Sequence, residues 1–351
     1  MTSITDVARL AGVSTATASR VVSAADYAVS AATRERVLDA ARTLDYVPNA
    51  LARGLQKSRV PVVGVIVHDI TDPYFAEVVR GVEDAAGAAG HLVITCSSDR
   101  DAERENSYVR LLRGMRAATV IFAGSGFDDR AANDELARHL TAIRAYGGAV
   151  VHLSPHAAGE PEVGVDNRAG VAAVVAELVR LGHRRIAFLA GPPSLLVARE
   201  RREGYRRGLA DAGLPFDERL VVSTGFDRAA GADGIDRLLA TGAPFSAVAA
   251  ANDLLALGAL ERLAALGIDV PDDLSVAGFD DVATAAVVAP SLSTVHLPLH
   301  EIGRRGFEHA VRLLGGERPE PEVLPIELVM RASTGPAPAR ALVGRAARAA
   351  S

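Results

Sequence analysis

From residue 60 to about residue 335, short aliphatic and β-branched runs alternate with longer stretches whose apolar positions recur every three to four residues. The runs Val62–Val67, Leu92–Cys96, Val120–Ala123, Ala149–Leu153, Val163–Asp166, Ile186–Ala190, Leu220–Ser223, Ala247–Ala250 and Leu274–Phe279 read as strands. Stretches such as Phe75–Ala89, Val171–Leu181, Arg199–Ala212, Leu254–Leu266 and Glu301–Leu314 read as helices. Strands that are apolar throughout and separated by helices form parallel sheets covered on both faces. Nine strands are too many for one lobe of about five, so the pattern predicts two doubly wound lobes with a ligand cleft beyond the carboxyl ends of their strands. Residues 1–47 differ: they show helical periodicity only. The expected organisation is a headpiece (1–47), a connector (48–59), a two-lobed domain (60–335) and an Ala/Arg/Pro-rich tail (336–351) that frays.

Three helices are expected in the headpiece. Ser3 with Asp6 resembles a capping box and starts Ile4–Ala11, which Gly12 ends. Ser14 caps Thr15–Ser23, and Ser30 caps Ala31–Leu44. Two short helices joined by a glycine-containing turn, with a third closing the core, form a helix-turn-helix. Its second helix lies in the major groove when the partner is DNA. The start of that helix, Ser14, Thr15, Ala16, Thr17, Ser19 and Arg20, is short and polar. Hydroxyls suit phosphates or base edges, Ala16 suits a thymine methyl, and Arg20 can grip a guanine in bidentate fashion. From spacing alone, a small helical bundle that binds protein remains the other reading.

Charge changes that balance. The chain carries −5 overall, yet residues 1–59 hold eight basic and five acidic side chains, a local +3 that leaves −8 for the rest. A small basic end on an acidic body suits a nucleic-acid-facing end. The connector 48–56 is long enough for two helical turns, but isolated helices of that length are marginal, and Gly54 weakens it further. It is expected to be disordered when free and helical when bound.

Cleft candidates are polar groups just after strands: Asp69 to Pro73, Ser97-Ser98, Asp166-Asn167, Asn252-Asp253 and Asp280-Asp281. Tyr74, Phe75, Phe226 and Phe279 join them, in a chain with only 4% aromatic residues. Rings that stack on a ligand face, with carboxylates and amides at its hydroxyls, make a site for a small polar molecule. Each of these residues alone could instead cap a helix or fill a sheet end.

Enzyme classes find little support. The nearest approach to a dinucleotide fingerprint, Gly124-Ser125-Gly126-Phe127-Asp128-Asp129, has Asp where the third glycine belongs. There is no P-loop and no nucleophile elbow. The nine histidines lack metal-ligand spacing, so no metal, cofactor or catalytic residue is expected. A single cysteine, Cys96, excludes an internal disulfide, and no stretch is apolar enough to span a membrane. The N-terminus lacks the marks of a secretion signal, so a cytoplasmic location is expected.

One resemblance sharpens all of this. Ile4-Thr5-Asp6-Val7-Ala8, Ala11-Gly12-Val13-Ser14, Thr17-Ala18-Ser19-Arg20-Val21-Val22, Thr33-Arg34-Glu35-Arg36-Val37 and Tyr46-Val47-Pro48-Asn49 resemble the headpiece of the lactose-repressor (LacI/GalR) family of bacterial transcription regulators. The similarity runs from about residue 3 to Thr334. It implies an α/β fold: an all-α helix-turn-helix headpiece plus a periplasmic-binding-protein-like effector domain of two doubly wound parallel-sheet lobes. The implied function is effector-controlled, sequence-specific repression by a homodimer or tetramer on a pseudo-palindromic operator. It adds Asn49 and Leu55 to the DNA-binding residues. The connector becomes a hinge helix, and Leu55 falls where a leucine wedges between central base pairs of the minor groove. In the cleft it implies effector binding by Tyr74, Phe75, Arg201, Phe226, Asn252 and Asp280. Arg199 is left an ordinary surface or ion-pair role. Pro290–Val295 is expected to cross between lobes.

Two departures matter. Ala18 stands where the family has valine, which costs headpiece packing but no base contact. After the fourth strand the run is His152-Leu153-Ser154-Pro155-His156, without the carboxylate that sugar-binding relatives place there. Ser154 and His156 are the available substitutes, although a surface position is the ordinary reading of His156. Two other functions stay in play. A plain solute-binding protein is disfavoured by residues 1–59, and a constitutive or architectural repressor with a vestigial cleft is kept open by the lost carboxylate.

Overall fold

The computed structural model describes residues 2–22, 29–47, 59–156, 163–339 and 341. The expectations for Asn49, Leu55, the 48–58 hinge helix and the end of the tail lie outside the described residues.

Three N-terminal helices form: α1 (Ile4–Ala11), α2 (Thr15–Val22) and α3 (Ala31–Thr43). A serine sets each start. Ser3 Oγ accepts from the Asp6 amide while the Asp6 carboxylate accepts from the Ser3 amide at 3.0 Å, which closes the capping box. Ser14 Oγ takes the Thr17 amide at 3.1 Å, and Ser30 Oγ takes the Thr33 amide at 3.3 Å. Gly12, at φ 66°, ends α1 in a left-handed conformation that costs a glycine no steric clash. Val7, Ala18, Val21 and Val37 meet in a small core. Ala18 is fully buried, at the centre of that core, where a small side chain limits the packing.

The first lobe runs β1 (Val60–Val67), α4 (Pro73–Ala88), β2 (Leu92–Ser97), α5 (Ala102–Gly114), β3 (Ala117–Phe122), α6 (Arg130–Ala145) and β4 (Ala149–His152). Its sheet is parallel, in the order β2-β1-β3-β4. After β5 (Val163–Gly164), the second lobe runs α7 (Asn167–Arg180), β6 (Ile186–Ala190), α8 (Leu196–Asp211), β7 (Val221–Ser223), α9 (Arg228–Ala240), β8 (Ala247–Ala250), α10 (Asp253–Ala265) and β9 (Ser275–Ala277). Its sheet, β7-β6-β8-β9, repeats the same order in parallel. The two doubly wound lobes read from the pattern are therefore present.

The last 75 or so residues are the less periodic part, and they stitch the lobes together. They hold α11 (Ala283–Val287), β10 (Thr294–His296), α12 (Leu299–Leu314), β11 (Glu322–Val323) and β12 (Glu327–Val329). Helix α12 returns to the first lobe and packs on α4. Glycines allow this close crossing: a Cβ on Gly81 would stand 1.9 Å from the His300 carbonyl oxygen, and one on Gly303 would stand 2.0 Å from that of Val78. Strand β11 pairs with β5, and β12 runs antiparallel to β10 back in the second lobe.

Some sequence boundaries move. Val163–Asp166 shortens to Val163–Gly164 because Asp166 turns its carboxylate to the Ala169 amide (2.8 Å) and caps α7. Leu220 belongs to a 3-10 turn (Glu218–Leu220) ahead of β7. Pro290–Val295 does not itself cross between lobes. Ser293 bridges to Ala277, and β10 follows directly, so the crossing comes only at residues 297–298.

Candidate functional site

In the headpiece, the start of α2 is presented to solvent. Ser14, Thr15, Ala16 and Arg20 are exposed, Thr17 and Ser19 half-buried, and Ala18 and Val21 turn into the core. Ser14 and Thr17 also bond to each other, 2.9 Å between hydroxyl oxygens, so their first task is to hold the helix end. The chemistry expected at base edges is thus on one accessible face.

In the body, one cavity opens between the lobes at the carboxyl ends of both sheets. About 400 Å³ of unfilled space, the open solvent at its mouth included, lies among its lining residues. Tyr74, Phe75, Arg201, Phe226, Asn252 and Asp280 all line it. Each reaches the cavity through a local device. Asp72 caps α4 through the Tyr74 amide (3.0 Å), with Pro73 in the first turn, and this turns Tyr74 and Phe75 into the cleft. Their rings meet edge to face at 4.9 Å, and Phe75 continues to His68 at 5.7 Å. Phe226 follows β7 and lies over Gly191, where a Cβ would sit 2.1 Å from the ring. Asn252 caps α10 with its oxygen (3.0 Å from the Leu255 amide) and donates to the Phe226 carbonyl at 3.1 Å. One amide hydrogen of Asn252 is left to spare.

Arg201 is the anchor of the second-lobe wall. It is 5% exposed, donates to Asn167 Oδ1 (3.0 Å), the Ala251 carbonyl (2.5 Å) and Asp280 Oδ1 (3.1 Å), and lies 4.0 Å over the Phe279 ring. Burial pushes the Asp280 carboxyl well above the usual carboxylate range, and the Arg201 guanidinium beside it opposes that rise. Asp280 and Asp281 have φ of 119° and 57°, backbone conformations that L-residues hold only when their surroundings impose them. Here the Asp280 amide donates to the Val295 carbonyl (2.9 Å). Asp281 is held by Arg331 (2.7 Å) and His296 (3.0 Å).

Other polar residues after the strands are structural. Asp69 closes a turn onto Thr71, Ser97 takes the Ile70 amide, and Ser98 donates to the Val67 carbonyl. Asn167 serves indirectly, holding Arg201. Phe279 lies beneath that guanidinium. Arg199 forms the expected ion pair, with Asp128 at 2.6 Å, across the two lobes. That pair belongs to a bridge: Phe127 and Leu195 pair antiparallel, and the Val197 amide donates to Ser125 Oγ at 3.0 Å. The failed dinucleotide fingerprint thus turns out to be a lobe-to-lobe clasp.

Three polar lining residues escaped the sequence reading, His68, Arg100 and Ser125, along with the apolar Ala123 and Val197. His68 comes one position before the Asp69 group, and Arg100 two after Ser98. The left-handed turn at Asp99 and Arg100 (φ 53° and 59°) carries Arg100 back over the cleft. Burial first, then Arg100, holds the His68 imidazole down at about 3, so the ring is neutral. Ser154 does line the wall, as a substitute for the lost carboxylate requires. His156 does not, and its expected surface position is wrong. Its side chain is buried, stacked 4.1 Å from His152 and 3.8 Å from Glu105. Pro155 accepts from the Gly126 amide (2.9 Å), which folds the loop inward against Gly126.

Known proteins share this arrangement. Residues 3–49 match the family described as bacterial regulatory proteins, lacI family, and residues 175–334 match a periplasmic binding protein-like domain. The HTH-type transcriptional regulator DegA of Bacillus subtilis (strain 168) is 34% identical over 339 residues, covering 95% of this chain and 98% of its own. The HTH-type transcriptional regulator GalR of Escherichia coli (strain K12) is 34% identical, covering 92% of each. Among solved structures, the lac repressor dimer bound to operator and the anti-inducer ONPF superposes with a TM-score of 0.84. It is 27% identical and covers 95% of this chain and 99% of its own. The transcriptional regulator CelR in complex with cellobiose gives 0.69 at 32% identity, covering 95% and 100%. A three-helix headpiece, a two-lobed body and relatives matched end to end establish that this chain belongs to the lacI family of bacterial regulatory proteins and is a DNA-binding transcriptional regulator.

Proposed function

We propose that this regulator is a homodimeric, cytoplasmic repressor that reads a pseudo-palindromic operator and is controlled by a small polyhydroxylated molecule in the interlobe cavity. Ser14, Thr15, Ala16, Thr17, Ser19 and Arg20 read the major groove, and Asn49 and Leu55 serve the minor groove from the connector. Phe226, with Tyr74 and Phe75, packs the ligand's faces. Arg201, Asn252 and Asp280 take its polar groups. What carries the reading is convergence: six residues drawn from both lobes and far apart in sequence line one cavity. Relatives named for sugar complexes, CelR with cellobiose among them, support the ligand class. The cavity and its ordered polar wall favour a working cleft over a vestigial one.

Control requires that the ligand prefer one lobe arrangement. The clasp at Ser125–Asp128 and Leu195–Arg199 and the crossing at residues 297–298 are the elements that register lobe position. A preference of about 1.4 kcal/mol already shifts operator affinity tenfold. The test is a thermal-shift screen against pentoses, hexoses, disaccharides, nucleosides and sugar phosphates, followed by operator titration with each hit. Ligand at 100 times its dissociation constant adds about 2.7 kcal/mol of stability. A hit that also alters operator affinity supports the reading. Operator binding indifferent to every stabilising ligand overturns it.

A further inference from the structure

The first-lobe wall of the cavity contains an arginine whose charge is poorly answered. Arg100 lines the cavity, and its side chain is 23% exposed. The nearest carboxylate, on Asp72, is 3.9 Å away. That carboxylate already caps α4, and burial pushes its proton affinity up despite Arg100. Arg100 Nε is buried without a hydrogen-bond partner. The guanidinium lies over the Phe226 ring at 5.8 Å, on the far side of the cleft, so it overhangs the space a ligand would fill. On the same wall His68 Nε2 is also buried without a partner. The backbone that delivers Arg100 is itself strained, two consecutive non-glycine residues at positive φ. Such outliers, when they point into a cavity, mark a group held for use.

Arg201, the other arginine of the cavity, gives the contrast. Its charge is met by Asp280, and its remaining donors by Asn167 and the Ala251 carbonyl. The two cations therefore differ: one is part of the scaffold, the other waits for an acceptor. A neutral sugar offers hydroxyls but no charge. A carboxylate or phosphate offers several acceptor oxygens in the geometry a guanidinium fork matches.

We propose that the effector carries an anionic group, a carboxylate or phosphate on a small polyhydroxylated molecule, and that Arg100 receives it. The inference rests on the effector reading above and narrows it. The test uses isothermal titration of the full-length protein with gluconate, glucuronate, glucose 6-phosphate and ribose 5-phosphate, each set against neutral glucose or ribose. The carboxylate and phosphate arms identify the source of the anion. At least one acid should bind ten or more times tighter than its neutral parent. Arg100→Gln should remove at least tenfold of that affinity, and Arg100→Lys should restore part of it. Ligand-free melting of the variants within about 2 °C of the parent shows that they fold. The proposal is overturned if no acid binds, if the neutral parent binds as tightly, or if Arg100→Gln leaves acid affinity unchanged. Operator titration separates the two readings. An acid that binds through Arg100 without altering operator affinity sinks the effector reading and leaves the anion site standing. A neutral sugar that alters operator affinity in both the parent and Arg100→Gln sinks the anion site alone.

Discussion

The two walls of the cavity are built on the same sheet topology yet finished differently. On the second-lobe wall, every polar side chain is already bonded to protein. Arg201 joins Asn167, Ala251 and Asp280, and Asn252 joins α10 to Phe226. On the first-lobe wall, His68 Nε2 and Arg100 Nε are buried without partners, and Asp72 and Arg100 stand 3.9 Å apart. A network in which every side chain is tied to protein holds its shape without ligand, whereas one with buried polar atoms left unbonded costs stability that a ligand can recover. The second lobe therefore acts as a preorganised platform and the first as the responsive half. Differential binding to two lobe positions needs that asymmetry, because a ligand that met equal satisfaction in both would shift nothing.

The largest effect should come from breaking the platform. Arg201 and Asp280 are 6% and 5% exposed at their side chains, 3.1 Å apart. Removing one partner of a buried ion pair strands the other charge and costs about 3–5 kcal/mol. Asp280→Ala, which removes the bond to Arg201 whatever the carboxyl's protonation, and Arg201→Met should each lower the melting temperature by on the order of 10 °C. They should also abolish ligand stabilisation. A melting temperature within a degree or two of the parent would show that the second wall is not the scaffold.

Next in size is a pH effect seated behind the same wall. Asp253 is fully buried, takes the Thr294 hydroxyl at 2.6 Å and the Val282 amide at 2.9 Å, and burial pushes its carboxyl up to about 7. A carboxyl whose folded pKa lies above its unfolded value binds its proton more tightly when folded. Its contribution is present at acid pH and is lost as pH rises from about 4 through about 7, by up to about 4 kcal/mol. Asp253→Asn should flatten the fall in stability over that window when denaturant midpoints are measured at each pH. Asp280 and Asp72 are shifted in the same direction, so the slope should shrink and not vanish. Glu301, held down to about 2 chiefly by its hydrogen bond to Arg304, acts in the opposite sense, with its window below about 4.5.

The two walls were also unequally legible in the sequence. Strong period-3.6 and β-branched runs sufficed for both sheets, and the serine caps placed the headpiece helices to within a residue or two. On the second lobe, Phe226, Asn252 and Asp280 are legible as a ring and polar groups just after strands, and only Arg201, inside a helix, needs the family motif. On the first lobe, the segment after the first strand yields Asp72, Tyr74 and Phe75, and the resemblance adds Ser154. His68 and Arg100 were missed because the rule of looking just after a strand assumes that the chain leaves the sheet directly. The positive-φ turn at Asp99–Arg100 instead folds it back over the cleft, and no residue type there announces such a turn. His156 was misplaced for a related reason. The inward turn of 154–156 follows from packing against Gly126, a contact 30 residues away along the chain. The stitching strands β10 and β12 are three residues each, too short to show a period.

A smaller effect tests the clasp that joins the walls. Ser125 Oγ accepts from the Val197 amide at 3.0 Å, and it shares the seam with the backbone pairing of Phe127 and Leu195 and the exposed Arg199–Asp128 pair. Ser125→Ala should cost about 1 kcal/mol by leaving that amide without its partner. Because the loss falls on one lobe arrangement, operator affinity without ligand should move by up to about fivefold while melting shifts only a few degrees. Equal loss of stability with operator affinity unmoved would make the seam structural only.

The smallest expected change in stability is at Arg100 itself, and it is the sharpest test of the comparison. Arg100 is partly exposed, and its pair with Asp72 is long, so the ion pair is worth no more than about 0–1 kcal/mol. Arg100→Gln should therefore melt within about 2 °C of the parent, whereas Arg201→Gln, chemically the same change, should lose several kcal/mol. Two arginines in one cavity would then separate cleanly, one important to the fold and the other only to what the fold binds. If the two variants were equally destabilised, Arg100 would be as much a part of the scaffold as Arg201. The division of the cleft into a preorganised wall and a responsive one would then fail.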